Sequence, residues 1–259
     1  MSIIGAIIGD FVGSRFEGEQ GRSKDFEFFA DDCRFTDDSV MTLIIAKAIN
    51  ENKDIENLSK ETVQLMKDIG PHYPFCGYSS RTFEWVNSEE LKPYNSCGNG
   101  AAMRVSACAN GKTLDEVKRM SYEVTRISHD HYEGIKGAEA TAVCIFFARQ
   151  GKTKEEIATY VQEHYYDLNF TIDEIREGFK FDGTCQGTVP QAIKIFLESA
   201  SYEDTIRTAI SLGGDSDTLA AISGSIAGEY FGIPDEMKET VIKRFKPHFK
   251  SVYDSLKIY

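Results

Sequence analysis

The stretch GGDSDTLAAISGSIAG, residues 213–228, contains the two patterns on which the interpretation of this chain depends. Its first half places two carboxylates and a threonine hydroxyl, those of Asp215, Asp217 and Thr218, directly before an apolar run that begins at Leu219. Its second half carries glycines four residues apart, at positions 224 and 228, and the spacing continues to 232. The stretch therefore predicts a helix with an acidic start and a stripe without side chains along one face.

A second acidic cluster, Thr36-Asp37-Asp38-Ser39, lies about 180 residues earlier and also precedes an apolar helical pattern. Taken alone, either cluster could simply cap a helix, because Thr and Asp side chains accept hydrogen bonds from first-turn amides. Capping needs one acceptor, however, and each cluster offers three or four. Four carboxylates in one pocket repel one another unless cations neutralise them, and Mg²⁺ or Mn²⁺ prefers such all-oxygen ligands. Together the two clusters favour a two-metal enzyme.

The glycine spacing of the opening stretch occurs again at the start of the chain, at Gly5, Gly9 and Gly13. Each interior glycine costs a helix about 1 kcal/mol relative to alanine, so we expect close backbone packing to compensate. Gly232, which precedes Ile233-Pro234, is predicted instead to end its helix. Because both glycine helices adjoin acidic clusters, their contact would bring the two halves of the metal site together.

The composition excludes several classes of protein. The 259 residues carry a net charge of −12 and no block of Lys or Arg, which argues against an extended nucleic-acid-binding surface. The six cysteines are scattered and form no zinc-type spacing. Neither a secretory signal nor a run of about 18 apolar residues, the length of a membrane span, is apparent. We therefore expect a cytoplasmic protein with reduced thiols and no membrane association.

Apolar periodicity is helical nearly throughout, and clear strand patterns are absent; the short run Phe26–Phe29 is the best strand candidate. Residues 114–127, for example, place an apolar side chain at every third or fourth position. No low-complexity linker divides the chain. The prediction is one all-α domain over residues 1–259, a compact orthogonal arrangement of many helices around a di-metal cleft. Further helical stripes lie at about 40–50, 55–69, 133–149, 154–165, 188–198, 203–211 and 237–256.

A Gly/Asn-rich loop at Ser96–Gly100 precedes the apolar stretch Ala101–Ala109, which we predict to be helical. Free amides at a helix start, with glycines that permit close approach, suit a pyrophosphate. A turn that merely starts a helix has the same composition, so the residues alone leave both interpretations open. Nearby, His129 and His131 form a His-x-His pair that lacks a third metal ligand.

Four segments of the chain, in this order, resemble the ADP-ribosylglycohydrolase family: GAIIGD at 5–10, FTDDS at 35–39, SCGNGAAMR at 96–104 and GDSDT at 214–218. The resemblance implies a single all-helical domain that binds two Mg²⁺ or Mn²⁺ ions. All six ligand positions that it implies hold the expected residue type. They are Thr36, Asp37, Asp38, Asp215, Asp217 and Thr218.

The resemblance also implies a substrate-binding set and a catalytic set. The loop would hold the diphosphate of ADP-ribose, and a histidine near the nucleotide corresponds best to His129. Glu17 corresponds to a glutamate that faces the metals, although Glu19 and Asp10 compete for that role; Asp10 is expected to fix the N-terminal helix. Tyr78, Arg81 and residues 183–186 fall in segments that line the cleft of relatives, but stay outside both sets. The substrate-binding residues are Ser96, Gly98, Asn99, Gly100 and His129, and the catalytic residues are Glu17, Asp37, Asp38 and Asp217.

The expected activity is metal-dependent hydrolysis of the N- or O-glycosidic bond between ADP-ribose and an acceptor. The acceptor would be an ADP-ribosylated protein side chain or a small ADP-ribose derivative. Two alternatives remain: a di-metal phosphohydrolase that cuts nucleotide diphosphates, and an ADP-ribose-binding module without turnover. A purely structural all-α protein would require both acidic clusters to be coincidental.

Overall fold

Hydroxyl side chains mark where most helices of this chain begin. Thr113, Thr153, Thr171, Thr184 and Ser201 each accept a hydrogen bond from an amide in the first turn that follows. The computed structural model describes residues 1–19, 23–52 and 54–256, with side chains up to residue 250. Its α-helices are α1 (Ser2–Gly13), α2 (Asp37–Glu51), α3 (Leu58–Ile69), α4 (Ser80–Asn87), α5 (Leu114–Thr125), α6 (Tyr132–Arg149), α7 (Lys154–His164), α8 (Ile172–Arg176), α9 (Cys185–Glu198), α10 (Tyr202–Leu212), α11 (Ser216–Tyr230) and α12 (Asp235–Leu256).

Helices α1 and α11 pack backbone against backbone, and their glycines make this possible. A Cβ added to Gly9 would lie 2.2 Å from the carbonyl oxygen of Ala220, and one added to Gly5 would lie 2.4 Å from that of Gly224. At Gly13, the added atom would lie 2.5 Å from the Cα of Asp217. The predicted glycine contact between the two helices is therefore confirmed. Gly232 has φ +76° just beyond α11, as expected for a residue that ends a helix.

Helix α11 is the centre of the fold. All of its residues from Ser216 to Gly228 are buried, and α1, α6, α9 and α10 pack around it. Helix α2 packs against α1 on the other side and is covered by α3 and α12. A helix that is buried on every face needs neighbours all round, so α11 cannot form without the rest of the domain. The described residues make one compact all-α domain, as the sequence predicts.

The predicted helical stripes are confirmed as α2, α3, α5, α6, α7, α9, α10 and α12. The helix predicted over Ala101–Ala109 is wrong. This segment forms two short 3₁₀ turns, at Asn99–Ala101 and Ser106–Asn110, joined through Arg104. Its residues are all buried, so the apolar composition reflects a passage through the core and not one face of a helix.

The candidate strand Phe26–Phe29 adopts no strand conformation, and its rings pack on other aromatic rings instead. Among residues 1–19, 23–52 and 54–256, the one β-type pairing is an isolated bridge between Gly98 and Thr184. Within the same ranges, no helix combines the length and the apolar character that crossing a membrane requires.

The contact between α1 and α11 predicts a large effect of a single methyl group. In Gly9→Ala, the new Cβ meets backbone atoms of Ala220 and Ala221, which cannot rotate away. We expect the free energy of unfolding to fall by about 3 kcal/mol, the upper part of the range for overpacked cores, as measured by urea denaturation. Gly178→Ala is the control, because its Cβ meets nothing within 4 Å. Equal stabilities of the two variants would contradict the close packing.

Candidate functional site

Asp10 joins the start of α2 to the last turn of α1. Its carboxylate is fully buried and accepts hydrogen bonds from the amide of Thr36 (3.0 Å), the hydroxyl of Thr36 (2.6 Å) and the amide of Ser39 (3.1 Å). The Ser39 hydroxyl donates a further bond to it. Burial raises the pKa of Asp10 to about 6, although the hydrogen bonds from Ser39 and Thr36 oppose the shift. The N-terminus of α2 is thereby held against α1, which is itself fixed to α11.

The two predicted acidic clusters meet at this junction. The hydroxyl of Thr218 donates to Oδ2 of Asp38 at 3.4 Å, which joins the N-termini of α11 and α2 directly. Oδ1 of Asp38 is buried and has no hydrogen-bond partner among the described residues. Carboxylate oxygens of Glu17, Asp215 and Asp217 lie within 4.8 Å of one another. Carboxylates from opposite ends of the chain therefore share one small volume.

Helix capping accounts for only part of this cluster. The hydroxyl of Thr36 does cap α2, because it accepts the amide of Asp38 at 3.2 Å. Asp215 occupies the N-cap position of α11 but makes no capping bond, and its Oδ2 accepts the side-chain amide of Asn99 at 2.7 Å instead. The remaining carboxylate oxygens exceed what the helix ends require, so the surplus is available to a ligand.

Mutual repulsion and burial make the cluster electrostatically costly. Burial, followed by the charge of Asp217, raises the pKa of Asp38 well above its ordinary value. Burial and then Asp215 do the same for Asp217. The pKa of Asp37 rises from 3.8 to about 7 through burial and then Asp10. Such a group of carboxylates is stable in the ionised form only when cations are close to it.

Two backbone hydrogen bonds between the segment that follows α1 and the segment that precedes α11 bring Glu17 to the cluster. The amide of Gly18 donates to the carbonyl of Gly214 at 2.7 Å, and the amide of Gly214 donates to the carbonyl of Glu19 at 2.9 Å. Gly18 and Gly214 both have positive φ, +78° and +72°, which a residue with a side chain rarely adopts. Burial, and then Asp215, raises the pKa of Glu17, whereas Arg34 lowers it. The glutamate is held at the mouth of the cluster, partly open to solvent.

A cleft of about 290 Å³ opens over the carboxylates, and the Gly/Asn-rich loop also lines it. Asn99 joins this loop to the cluster and to α9, because its side-chain amide donates to Oδ2 of Asp215 at 2.7 Å and to the hydroxyl of Thr188 at 3.1 Å. The amides of Gly98 and Asn99 are bonded to the Ser96 hydroxyl (3.1 Å) and the Gly183 carbonyl (2.9 Å). These two amides are therefore already hydrogen-bonded, one within the loop and one to the segment before α9, and the loop is not the free helix N-terminus that the sequence predicts.

His129 lies against this loop with its position fixed by a buried arginine. Nη2 of Arg104 donates to the hydroxyl of Ser128 at 2.8 Å, and that hydroxyl lies 2.8 Å from Nδ1 of His129. Nδ1 is the one acceptor within reach of the Ser128 hydroxyl proton among the described residues, so we assign that proton to this bond and the ring proton to Nε2. Burial, followed by the charge of Arg104, lowers the pKa of His129 well below its ordinary value. A neutral imidazole thus presents Nε2 toward Gly98 and Gly100.

Most of the predicted residues line this one cleft. Thr36 does not line it; its hydroxyl lies behind the cluster, between Asp10 and the amide of Asp38. Tyr78 and Arg81 do not line it either, since the first donates to the carbonyl of Gly70 and the second to that of Tyr94. Predicted residues that do line it are Glu17, Asp37, Asp38, Ser96, Gly98, Asn99, Gly100, His129, Asp215, Asp217 and Thr218.

Sequence reasoning missed part of the cleft wall. Gly77 and Ser79 line it from the segment before α4, Thr82 lines it from the first turn of α4, and Phe181 lines it from the loop before α9. Gly77 has φ +111°, and a Cβ there would lie 3.2 Å from Oδ1 of Asp37. No local pattern distinguishes these residues from ordinary loop residues, because their role depends on contacts with distant segments.

The geometry of the cluster fits a hard divalent cation. The side chains of the two acidic clusters offer oxygen donors alone, and one buried oxygen of Asp38 has no partner among the described residues. Burial, and then the neighbouring carboxylates, raises the pKa of Asp38, so its negative charge needs a positive neighbour. The acidic group Glu17, Asp215 and Asp217 could by itself hold a metal ion.

Comparison with known proteins identifies the family of the chain. The family model for ADP-ribosylglycohydrolase matches residues 1–256. ADP-ribosylhydrolase ARH3 of Xenopus tropicalis is 26% identical over 306 aligned positions, which cover 89% of this chain and 86% of that protein. The protein of the same name in Danio rerio is 23% identical, with coverages of 90% and 82%. A solved structure described as an ADP-ribosylglycohydrolase-related protein complex shares the fold, with a TM-score of 0.66, 20% identity and coverages of 98% and 96%.

The electrostatics predict an unusual pH dependence for the metal-free protein. The pKa of Asp37 is about 7 in the folded state and 3.8 ordinarily, so the folded state binds its proton more tightly than the unfolded chain does. The free energy of unfolding in EDTA should therefore fall as the pH rises from about 4 to about 7.

Asp37→Asn should weaken this dependence and stabilise the metal-free protein at pH 8 by about 2 kcal/mol, a figure that allows for solvent screening at a half-buried site. Asp25→Asn, at an exposed position outside the cluster, serves as the control and should change neither quantity. Urea denaturation across the pH range provides the measurement. A stability that increases with pH over this interval would show that the cluster is not strained.

Proposed function

The chain belongs to the ADP-ribosylglycohydrolase family, and we propose that it hydrolyses the N- or O-glycosidic bond between ADP-ribose and an acceptor. The acceptor is a protein side chain or a small ADP-ribose derivative, and intact ADP-ribose is the first product. One observation carries the proposal: the oxygen-rich cluster at the starts of α2 and α11 shares a cleft with the loop at Ser96–Gly100. The cleft can thus hold an anionic nucleotide while cations neutralise the acidic cluster beside it.

Two Mg²⁺ or Mn²⁺ ions are proposed as the cofactors. Their ligands would come from Thr36, Asp37 and Asp38 on one side and from Asp215, Asp217 and Thr218 on the other. The unpartnered oxygen of Asp38 and the raised carboxylate pKa values support this assignment. When bound, such ions supply the positive charge that offsets the carboxylates and polarises the oxygens of the sugar and of water. Among the proposed ligands, Thr36 would need the largest rearrangement to reach a cation, because its hydroxyl already donates a hydrogen bond to Asp10.

The loop and His129 are proposed to bind the diphosphate. Ser96, Gly98, Asn99 and Gly100 border the cleft, and glycine at two of these positions lets a phosphate approach the backbone. Nε2–H of His129 faces the same loop and can donate to an anionic oxygen without carrying a charge. A buried histidine that stays neutral binds the nucleotide equally well across the physiological pH range.

Glu17 is proposed to move the proton in the reaction. Glycoside cleavage passes through an oxocarbenium-like transition state, in which a carboxyl group assists either the incoming water or the leaving group. Glu17 is suited to either role, because its pKa is raised and it lies beside Asp215 and Asp217 at the open side of the cluster. Asp37, Asp38 and Asp217 are proposed to position the reacting sugar through the cations they hold. Nη2 of Arg34 lies 4.0 Å from Oε2 of Glu17, and its positive charge limits the rise in the pKa of Glu17.

The products decide between this proposal and its alternatives. Purified protein is incubated with arginine-linked and serine-linked ADP-ribosyl peptides, in Mg²⁺ or Mn²⁺ and then in EDTA, and the products are read by mass spectrometry. The proposal predicts metal-dependent release of intact ADP-ribose and identifies the linkage. Release of AMP would establish a phosphohydrolase, and tight binding without any product would establish a binding module.

The cluster assignment predicts the effect of removing one carboxylate. Asp38→Ala or Asp217→Ala should lower kcat at limiting Mg²⁺ by at least about 100-fold, since a lost ligand weakens metal binding and misplaces the substrate. Asp25→Ala, which removes an exposed carboxylate elsewhere, should leave kcat unchanged. Circular dichroism verifies that the helices persist in each variant. Full activity of the Asp217→Ala protein at limiting Mg²⁺ would exclude this residue from the site.

A further inference from the structure

A second and larger cavity, of about 580 Å³, lies beside the cleft and is not used by the proposed reaction. It is bordered by the segment before α2, the segment before α4 and the end of α12. Ligand pockets in proteins have volumes of about 300–1,000 Å³ and are mostly apolar with a few polar groups. This cavity, here called the side pocket, has both properties. Its lining includes Phe11, Arg34, Phe35, Tyr73, Phe75 and Phe249.

The side pocket and the cleft share a wall that is formed by two segments of the chain. Phe35 lines the side pocket and Asp37 lines the cleft. In the facing segment, Cys76 lines the side pocket and Gly77 lines the cleft. The two segments are joined by a hydrogen bond of 2.8 Å from the amide of Asp37 to the carbonyl of Cys76. The two cavities are therefore separated by these two hydrogen-bonded segments alone, close enough for neighbouring residues of one polypeptide to lie in each.

The shared wall lies at the reacting end of the cleft. Arg34, which lines the side pocket, approaches Glu17, which lines the cleft, to 4.0 Å. The proposed diphosphate loop lines the cleft but not the side pocket. A bound substrate therefore leaves the side pocket to the group attached to the sugar and not to the diphosphate.

The floor of the side pocket is aromatic. The rings of Phe11 and Phe35 stack with centroids 4.4 Å apart, and Phe249 stacks against Tyr73 at 5.0 Å. At the mouth, Phe75 exposes 97% of its surface, which is unusual for a large apolar side chain beside a cavity. The charged groups at the rim are Arg34, Arg244 and Asp31, so the balance disfavours a cationic ligand.

We propose that the side pocket binds an apolar or aromatic side chain next to the ADP-ribosylated residue of a polypeptide. This rests on the proposed function and narrows it, since a protein or peptide substrate fills the side pocket, whereas a small ADP-ribose derivative leaves it empty. Phe75 covers the bound side chain and so determines specificity without touching the reacting atoms.

Phe75→Ala tests the proposal, because a side chain that is 97% exposed can be removed without loss of folding stability. The probes are a short ADP-ribosyl peptide with phenylalanine on both sides of the acceptor, the same peptide with glycine there, and free ADP-ribose. We expect wild-type kcat/KM to be about tenfold higher for the phenylalanine peptide, equivalent to about 1.4 kcal/mol. Phe75→Ala should abolish this preference, and Phe75→Leu should keep most of it. Leu91→Ala, which truncates another exposed apolar side chain, should have no effect.

Three outcomes would overturn the proposal. In the first, the wild type has the same kcat/KM for both peptides. In the second, the preference for the phenylalanine peptide survives in Phe75→Ala. In the third, Phe75→Ala binds free ADP-ribose with a weaker Kd than the wild type does. The third would mean that the nucleotide itself occupies the side pocket. If the wild type hydrolyses none of the peptides, the proposed hydrolysis fails. The role of the side pocket is then decided by the Kd values of the two uncleaved peptides, compared between the wild type and Phe75→Ala.

Discussion

The backbone contact between α1 and α11 is the constraint on which the rest of the structure depends. Without side chains at Gly5, Gly9 and Gly13, the two helices approach until a methyl group no longer fits between them. This contact fixes the start of α11, and Asp10 fixes the start of α2 on the same helix α1. Segments that are far apart in sequence are thus joined at one point with little freedom. A precise cluster of carboxylates can be built only on such a rigid support.

The same rigidity makes the cluster costly when it is empty of cations. Asp37, Asp38 and Asp217 are held together whether or not their charges are neutralised, and burial with mutual repulsion raises the pKa of each. The fold compensates elsewhere, through a core in which α11 is buried on every face. Pre-organisation of this kind lowers the stability of the metal-free protein and makes cation binding part of the stability of the functional state.

The sequence predicts the helices and the meeting of the two acidic clusters, because both follow from local spacing and from the glycine pattern. It does not predict what depends on distant contacts. The run from Ala101 to Ala109 has the composition of a helix, yet it crosses the core as 3₁₀ turns around Arg104, whose partners are Val124 and Ser128. The link from Asp10 to α2 has no local signal beyond one aspartate in an apolar helix. The placement of Gly77 beside Asp37 likewise has none beyond one glycine in a loop.

The central claim is that the junction of α1, α2 and α11 builds a two-metal centre. Anomalous diffraction from crystals grown with Mn²⁺ and ADP-ribose tests it most directly, because the signal locates the ions without reference to activity. The account predicts two Mn²⁺ peaks between the N-termini of α2 and α11, within coordination distance of Asp38 and Asp217. A single peak would reduce the centre to one metal. Well-ordered crystals without any peak at this junction would contradict the account.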